Sequence, residues 1–214
     1  MIKAETAARQ EGEKVVIDMN GAGVVPGDIF DAIRGKDIDI EFEMDNGVSW
    51  QINGKSVQTG EVKDIDFTVR YGREASDTIP VDIINGLTGK RSSLNVTLAY
   101  EGTFGFEAVL RINVGTENKG MTANLFYYNE DTGAMEFISA GQVDEEGYAR
   151  LSFTHASDYA IVIDTSSMEG QEASAGASGT AARTALIWII ALAAIAAATA
   201  VVIALAKKRK EEKQ

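Results

Sequence analysis

The feature that most constrains this chain is a run of 23 residues without a charged side chain, from Thr184 to Ala206. As an α-helix such a run is about 34 Å long, and the hydrocarbon core of a bilayer is about 30 Å thick. Trp188 lies near one end of the run, where aromatic rings favour the membrane interface. A buried core helix or a signal sequence would be shorter and would not stop abruptly at a basic cluster. The sequence therefore predicts a transmembrane helix over residues 184–206.

Charge predicts the orientation of this span. Four basic residues follow it directly and one precedes it: Lys207, Lys208, Arg209 and Lys210 against Arg183. Basic residues flanking a span favour the cytoplasmic side, so residues 207–214 are predicted to be a cytoplasmic tail and the remainder to be extracellular. The whole chain carries a formal net charge of −12 in spite of this basic tail. An extracellular part this acidic argues against nucleic acid as a partner. The predicted partner is the lipid bilayer, through the C-terminal helix, and an extracellular protein or polysaccharide ligand is left open.

The N-terminal segment, residues 1–13, is polar and contains neither the apolar run nor the cleavage site of a signal peptide. Because an extracellular domain needs export, we expect the chain to be the C-terminal piece of a longer surface protein. Cysteine is absent, which excludes disulfide bonds and thiolate metal sites. Cysteine-poor chains are typical of proteins exported by Gram-positive bacteria.

Residues 14–165 are predicted to form a β-rich domain, because apolar side chains take every second position along several segments. This period of two is seen in four sets of residues: Ile38, Ile40, Phe42 and Met44; Leu94, Val96 and Leu98; Leu151 and Phe153; and Tyr159, Ile161 and Ile163. Turn-forming residues between the segments favour an Ig-like β-sandwich. Residues 166–183 are rich in Gly, Ser and Ala and are predicted to be a flexible tether.

An internal duplication with an offset of 54 residues interrupts the strand pattern. The segments beginning at Pro26 and Pro80 match, and each predicts a short helix that starts near the proline and ends before a Gly-Lys pair. In each copy, a strand, a glycine turn and an aromatic-bearing strand are predicted to follow. A sub-boundary between the copies is predicted near residues 72–78. Residues 121–164 have no copy and predict two hairpins, the second turning at His155–Asp158.

The run LFYYNEDTGAMEFISAGQVDEEGYARLSFTHASDYAIVID resembles the terminal module of large surface proteins from clostridia and related Firmicutes. The earlier stretches VPGDIFDAI and GVSWQING resemble the same module. The resemblance implies a membrane- or wall-proximal module of an adhesin or of a cellulosome-type scaffoldin, carrying binding domains farther out. Many such proteins end in a Leu-Pro-x-Thr-Gly sorting signal. Here the only prolines are Pro26 and Pro80, so the helix is expected to stay in the membrane.

His155, the only histidine, and Ser157 also resemble the cleavage site of autoproteolysis-inducing domains in adhesion receptors. This resemblance implies that the Ser157 hydroxyl attacks the Ala156 carbonyl, with His155 as general base. The interpretation that we favour is that His155 and Ser157 satisfy backbone groups at a tight turn between two strands. We therefore expect a non-enzymatic anchor or stalk module without a cofactor, and self-cleavage is the alternative.

Three further sites remain open from the sequence. The acidic loops at residues 129–132 and 144–146 offer oxygen ligands for calcium, although neither has the spacing of a helix–loop–helix site. Lys14 and Asn113 are the candidate partners of a Lys–Asn isopeptide crosslink. Trp50, Tyr127 and Tyr128 could stack on sugars, which would make the domain a glycan- or protein-binding β-sandwich. Because neighbouring residues of a strand face opposite ways, one of the two tyrosines is expected in the core.

Overall fold

The structure is a computed structural model that describes residues 12–45, 47–58, 60–74, 76–171 and 173–174. These residues form eleven β-strands, two α-helices and two short 3-10 turns. The strands are β1 (Lys14–Asp18), β2 (Val24–Val25), β3 (Asp39–Glu43), β4 (Ser49–Asn53), β5 (Ile65–Asp66), β6 (Val69–Gly72), β7 (Ser93–Asn113), β8 (Thr122–Asn129), β9 (Ala134–Gln142), β10 (Tyr148–Asp164) and β11 (Ala173–Ser174). The helices are α1 (Gly27–Ile33) and α2 (Val81–Thr88), and the 3-10 turns are Gly54–Ser56 and Thr116–Asn118. The prediction of a mainly β fold with two short helices is confirmed.

Nine of the described strands are hydrogen-bonded into one sheet in the order β1-β3-β4-β7-β10-β8-β9-β11, with β6 paired to β7. The first pair, β1 with β3, is parallel, and every other pair in this sheet is antiparallel. Strands β2 and β5 form a separate antiparallel pair. Because β6 pairs with β7, the chain before and after residues 72–78 contributes to the same sheet.

The main core lies on one face of this sheet and is closed by α1. Phe30 of α1 is fully buried, and its ring lies 4.7 Å from Phe106 and 6.2 Å from Phe42. Trp50 is also fully buried, and its indole N–H donates a 3.0 Å hydrogen bond to the Phe67 carbonyl. Burying an indole requires such a partner, because an unpaired N–H in an apolar core is costly. The alternation predicted from the sequence thus corresponds to side chains that fill this core.

A second, smaller core covers the opposite face of β8, β9 and β10. Ile83 and Leu87 of α2 pack there with Phe126, Tyr128 and further side chains, including Met135, Ala160, Val162 and Met168. Strand β8 is consequently buried on both faces. The sequence predicted α2 as one half of a duplication, and the structure shows what it does: it shields the second face of the C-terminal strands.

The predicted hairpin at His155–Asp158 is wrong, because these residues lie inside the continuous strand β10. The predicted glycine turn of the second copy is also absent. Gly102 and Gly105 instead lie within the 21-residue strand β7, both with positive φ. The β7–β10 register shifts between Phe153 and His155 and between Ala156 and Asp158, so the extra residues of β7 are accommodated as irregularities of the strand pairing rather than as a turn. The predicted hairpin of β8 and β9 is present.

The two helices begin as the duplication predicts. Pro26 and Pro80 are the residues directly before α1 and α2, and Gly35 and Gly89 follow the helices with positive φ. The copies differ in their strands, since β3 and β4 form a hairpin whereas the matching residues of the second copy share β7. The helix-forming signal lies within each segment and recurs in both copies, whereas the pairing of the strands depends on which other strands lie beside them.

The chain remains packed beyond Thr165, where the sequence placed the end of the domain. Met168 is buried in the second core, and Ala173 and Ser174 pair with β9. The compact unit that contains the β-strands reaches Ala175. Among the described residues, no helix is both long and apolar enough to cross a membrane. The predicted span at 184–206, with Thr184, Trp188 and Ala206, and the basic tail lie outside the described residues.

Candidate functional site

His155 lies on β10 with its ring packed edge-on against Tyr127, the two ring centroids being 4.7 Å apart. Its Nδ1 atom lies 3.5 Å from the Thr154 hydroxyl, and its carbonyl accepts a 2.6 Å hydrogen bond from the Tyr159 hydroxyl. In the described part of the chain, no hydrogen bond joins His155 to Ser157. The ring is therefore used for packing between tyrosines, and the geometry does not present it to Ser157 as a base.

The electrostatics around His155 agree with a packing role. Burial lowers the pKa of His155 below its usual value, and the negative charge of Glu136 opposes this shift. Burial also raises the pKa of Tyr127 and, more strongly, that of Tyr159. The three rings therefore form a largely uncharged, partly desolvated cluster. Backbone strain is not visible at Ala156 either, since Asn20 is the one described non-glycine residue with positive φ.

The oxygens of the two acidic loops bind their own backbone. Asn129 Oδ1 accepts hydrogen bonds from the amides of Asp131 and Thr132, and Asp144 Oδ1 accepts them from Glu146 and Tyr148. These are the capping contacts of tight turns. The described residues contain no group of three or more acidic or histidine side chains arranged to hold a metal ion.

The structure does not bring Lys14 and Asn113 together. The Lys14 ammonium forms an ion pair with Glu41, whose other carboxylate oxygen accepts a 2.6 Å hydrogen bond from Ser49. Asn113 is engaged at the end of β7, where its Oδ1 atom accepts from the Gly115 amide at 3.0 Å. An isopeptide bond between these two residues has no geometric support.

The aromatic side chains proposed for sugar stacking are covered. Trp50 is fully buried, and Tyr128 is 8% exposed within the second core. Tyr127 faces the main core, so the two adjacent tyrosines point to opposite faces as predicted, yet both are packed. The large apolar side chains that the described surface does expose are the valines Val16, Val24 and Val81. This distribution counts against the glycan-stacking alternative.

Surface depressions occur away from the predicted residues. One of 330 Å³ is lined by residues that include Tyr100 and Phe104, and another of 550 Å³ by residues that include Arg70 and Arg73. Neither lining contains His155 or Ser157. Arg73 is already engaged, donating 2.9 Å hydrogen bonds to Glu117 and to the Ser92 hydroxyl. We find no catalytic arrangement in either depression.

The best-defined polar site in the described chain is at the junction between the sheet and the predicted tether. Asn124 is fully buried on β8, on the face that α2 covers. Its side-chain amide donates to the carbonyls of Val162 at 3.3 Å, Ser166 at 3.2 Å and, within its own strand, Thr122 at 3.3 Å. Its Oδ1 atom accepts a 2.8 Å hydrogen bond from the amide of Met168. We call these contacts the Asn124 clasp.

The clasp explains why the chain stays packed after β10. Backbone groups of Ser166 and Met168 are close to an apolar surface, where polar atoms need partners. Asn124 supplies both a donor and an acceptor, and the Met168 side chain then fills the second core with 1% exposure. A second contact, the ion pair between Arg91 and Asp164, lies at the end of β10. Sequence reasoning missed Asn124, although a polar side chain between Ala123 and Leu125 in a strand was a usable signal.

No protein-family model matches the chain, and comparison with curated proteins and with solved structures likewise finds no match.

Proposed function

We propose that this chain is a non-enzymatic, membrane-proximal anchor that presents the distal part of a bacterial surface protein used for adhesion or scaffolding. The observation that carries this proposal is the Asn124 clasp. An anchor needs a firm connection where the folded domain meets its tether, and the clasp joins Ser166 and Met168 to Asn124, the third residue of β8. A pull on the tether would have to break buried hydrogen bonds before it reached the main core.

The arrangement of the sheet also supports a role as a mechanical anchor. We propose that its two halves act as the layers of an Ig-like sandwich around the main core. Phe153 of β10 lies with its ring centroid 5.3 Å from Trp50 of β4, and 4.8 Å from Tyr159 farther along β10. Strand β10 thus contacts the β4 side of the core and, through the Val162 carbonyl, takes part in the clasp. A continuous strand of this length connects the core to the site where the tether begins.

The membrane part of the proposal depends on the uncharged run at 184–206 and on the basic residues after it. It is tested by producing the full chain behind a signal peptide in a Gram-positive host and treating intact cells with protease. We expect the acidic domain to be released while the tail, residues 207–214, stays protected. A matched variant with Gln at Lys207, Lys208, Arg209 and Lys210 should lose this uniform orientation. Protection of the acidic domain in intact cells would refute the proposed topology.

A further inference from the structure

Within the described ranges, one edge of β1, the first strand of the sheet, has no partner strand. It pairs only with β3 among the described residues, in a parallel register that places Val15 opposite Ile40 and Ile17 opposite Phe42. At the two ends of this register, the Asp39 amide donates to the Glu13 carbonyl and the Met19 amide donates to the Glu43 carbonyl. The odd-numbered residues of β1 therefore bond to β3. The backbone N–H and C=O groups of the even-numbered residues, Lys14, Val16 and Asp18, face away from the sheet.

The side chains of the same three residues lie on the solvent face. Val15 and Ile17 are buried in the main core, whereas Val16 is 52% exposed. An exposed apolar residue on an edge with unpaired backbone groups is the arrangement that favours addition of another strand. Asn20 closes one end of this edge, since its side-chain amide donates to the Asp18 carbonyl at 3.2 Å. The open edge is therefore short.

The charges along β1 show which strand would fit. The sequence Lys-Val-Val-Ile-Asp carries a positive charge two residues before Val16 and a negative charge two residues after it. If a second copy of β1 pairs antiparallel with Val16 opposite its own counterpart, each Lys14 stands opposite the Asp18 of the other copy. In that register the residues whose backbone groups face outward are directly opposite one another, as a hydrogen-bonded antiparallel pair requires.

The environment of Asp18 supports the same occupant. Asp18 stands directly opposite Glu43 in the β1–β3 register. Asp18 Oδ1 accepts a 3.0 Å hydrogen bond from the Asn20 amide, and the described residues provide no ion pair for either carboxylate. Like charges placed opposite each other on a sheet are unfavourable. A lysine from a second copy would relieve this repulsion. Lys14 can contact Asp18 of a second copy while it keeps its ion pair with Glu41, because an ammonium group has three donors.

We infer that β1 is a homodimerisation edge at which two copies of this chain join their sheets about a two-fold axis through Val16. Such an interface is self-complementary, as a two-fold axis demands. A contact of five residues per copy is small, so we expect a weak dimer that depends on protein concentration. The partner is therefore a second copy of this chain, and the sheets of the two copies become continuous.

Disulfide trapping tests the inference on the full chain, purified in detergent with micelles in excess. The chain has no cysteine, so Val16→Cys introduces a single thiol. In the proposed register the two Cα atoms are about 5.5 Å apart, within the range for a disulfide. We expect oxidation to give a covalent dimer. Val24→Cys and Val81→Cys are matched controls at positions 51% and 59% exposed, and these should remain monomeric.

Two further variants test the register. A mixture of Lys14→Cys and Asp18→Cys chains should form mixed dimers, while each variant alone should not, since its two thiols would be separated by about four residues of strand, or roughly 13 Å. Adding Asp18→Lys to Val16→Cys should reduce the trapped dimer about tenfold, because both opposite-charge pairs become like-charge pairs. Adding Lys14→Glu as well should restore it.

Three results would overturn the inference. Equal trapping at positions 16, 24 and 81 would indicate random collision. Equal trapping of Val16→Cys chains with and without Asp18→Lys would exclude the proposed register. A Val16→Cys chain that stays monomeric and reacts slowly with a soluble thiol reagent would mean that another segment of its own chain covers β1. Circular dichroism of each variant checks that a loss of trapping does not come from unfolding.

Discussion

Replacing Asn124 by Ala should destabilise the domain more when the segment after β10 is present than when it is absent. In the compact unit that ends at Ala175, this replacement removes the acceptor of the buried Met168 amide and the donor to the Ser166 carbonyl. Losing these two contacts, with one buried N–H left unpaired, should lower the free energy of unfolding by about 2–4 kcal/mol.

The comparison is made with a fragment ending at Thr165. We expect this fragment to fold cooperatively, because the main core lies within it. It lacks Ser166 and Met168, so Asn124 retains only its bonds within the sheet, to the carbonyls of Thr122 and Val162. Asn124→Ala should therefore cost only about 0.5–1.5 kcal/mol in the shorter fragment. The truncation itself should cost about 1.5–3 kcal/mol, since it removes a buried methionine.

Urea unfolding of the four proteins, two lengths with and without the substitution, measures the coupling as a double-mutant cycle. Ser167→Ala in the longer fragment is the control, because Ser167 is exposed between the two clasped residues and its loss should change stability by less than about 0.5 kcal/mol. An equal cost of Asn124→Ala in both lengths would refute the clasp. So would a shorter fragment as stable as the longer one.

Three further predictions follow from the packing. Burial lowers the pKa of His155 from its usual 6.5. The stability that depends on its neutral ring is therefore present above about pH 6.5 and is lost as the pH falls through the folded-state pKa. His155→Gln should flatten this part of a pH–stability curve, and an unchanged slope would mean that another group causes it. Under the anchor proposal, denaturing mass spectrometry should find the intact 22.9 kDa chain; a fragment beginning at Ser157 and abolished by Ser157→Ala would establish self-cleavage instead. Gly27→Ala should lower the free energy of unfolding by about 1–3 kcal/mol, because a Cβ atom there would collide with the Val62 carbonyl. In Gly86→Ala of α2 the new Cβ atom meets no atom within 4 Å, so this control should be neutral or stabilising by up to about 1 kcal/mol. Equal effects of the two substitutions in urea unfolding would contradict the α1 packing.

Local signals in the sequence were sufficient to predict part of this fold. Ile40 and Phe42 alternate with charged residues, and both are fully buried on β3. Pro26 and Pro80 each predicted a helix start, and a helix begins directly after each of them. These predictions succeed because the apolar period and the fixed φ of proline act within a few residues, whatever the rest of the chain does.

Long-range partners decided what those local signals could not. A glycine at position 102 is compatible with a turn or with a place inside a strand, and only the pairing of β7 with β10 selects the strand. The role of Asn124 depends on Met168, which is 44 residues away. His155 and Ser157 are close in sequence, yet packing against Tyr127 determines where the imidazole lies. Which side chains meet is a property of the tertiary structure, because burial and hydrogen bonding join groups that have no fixed spacing along the chain.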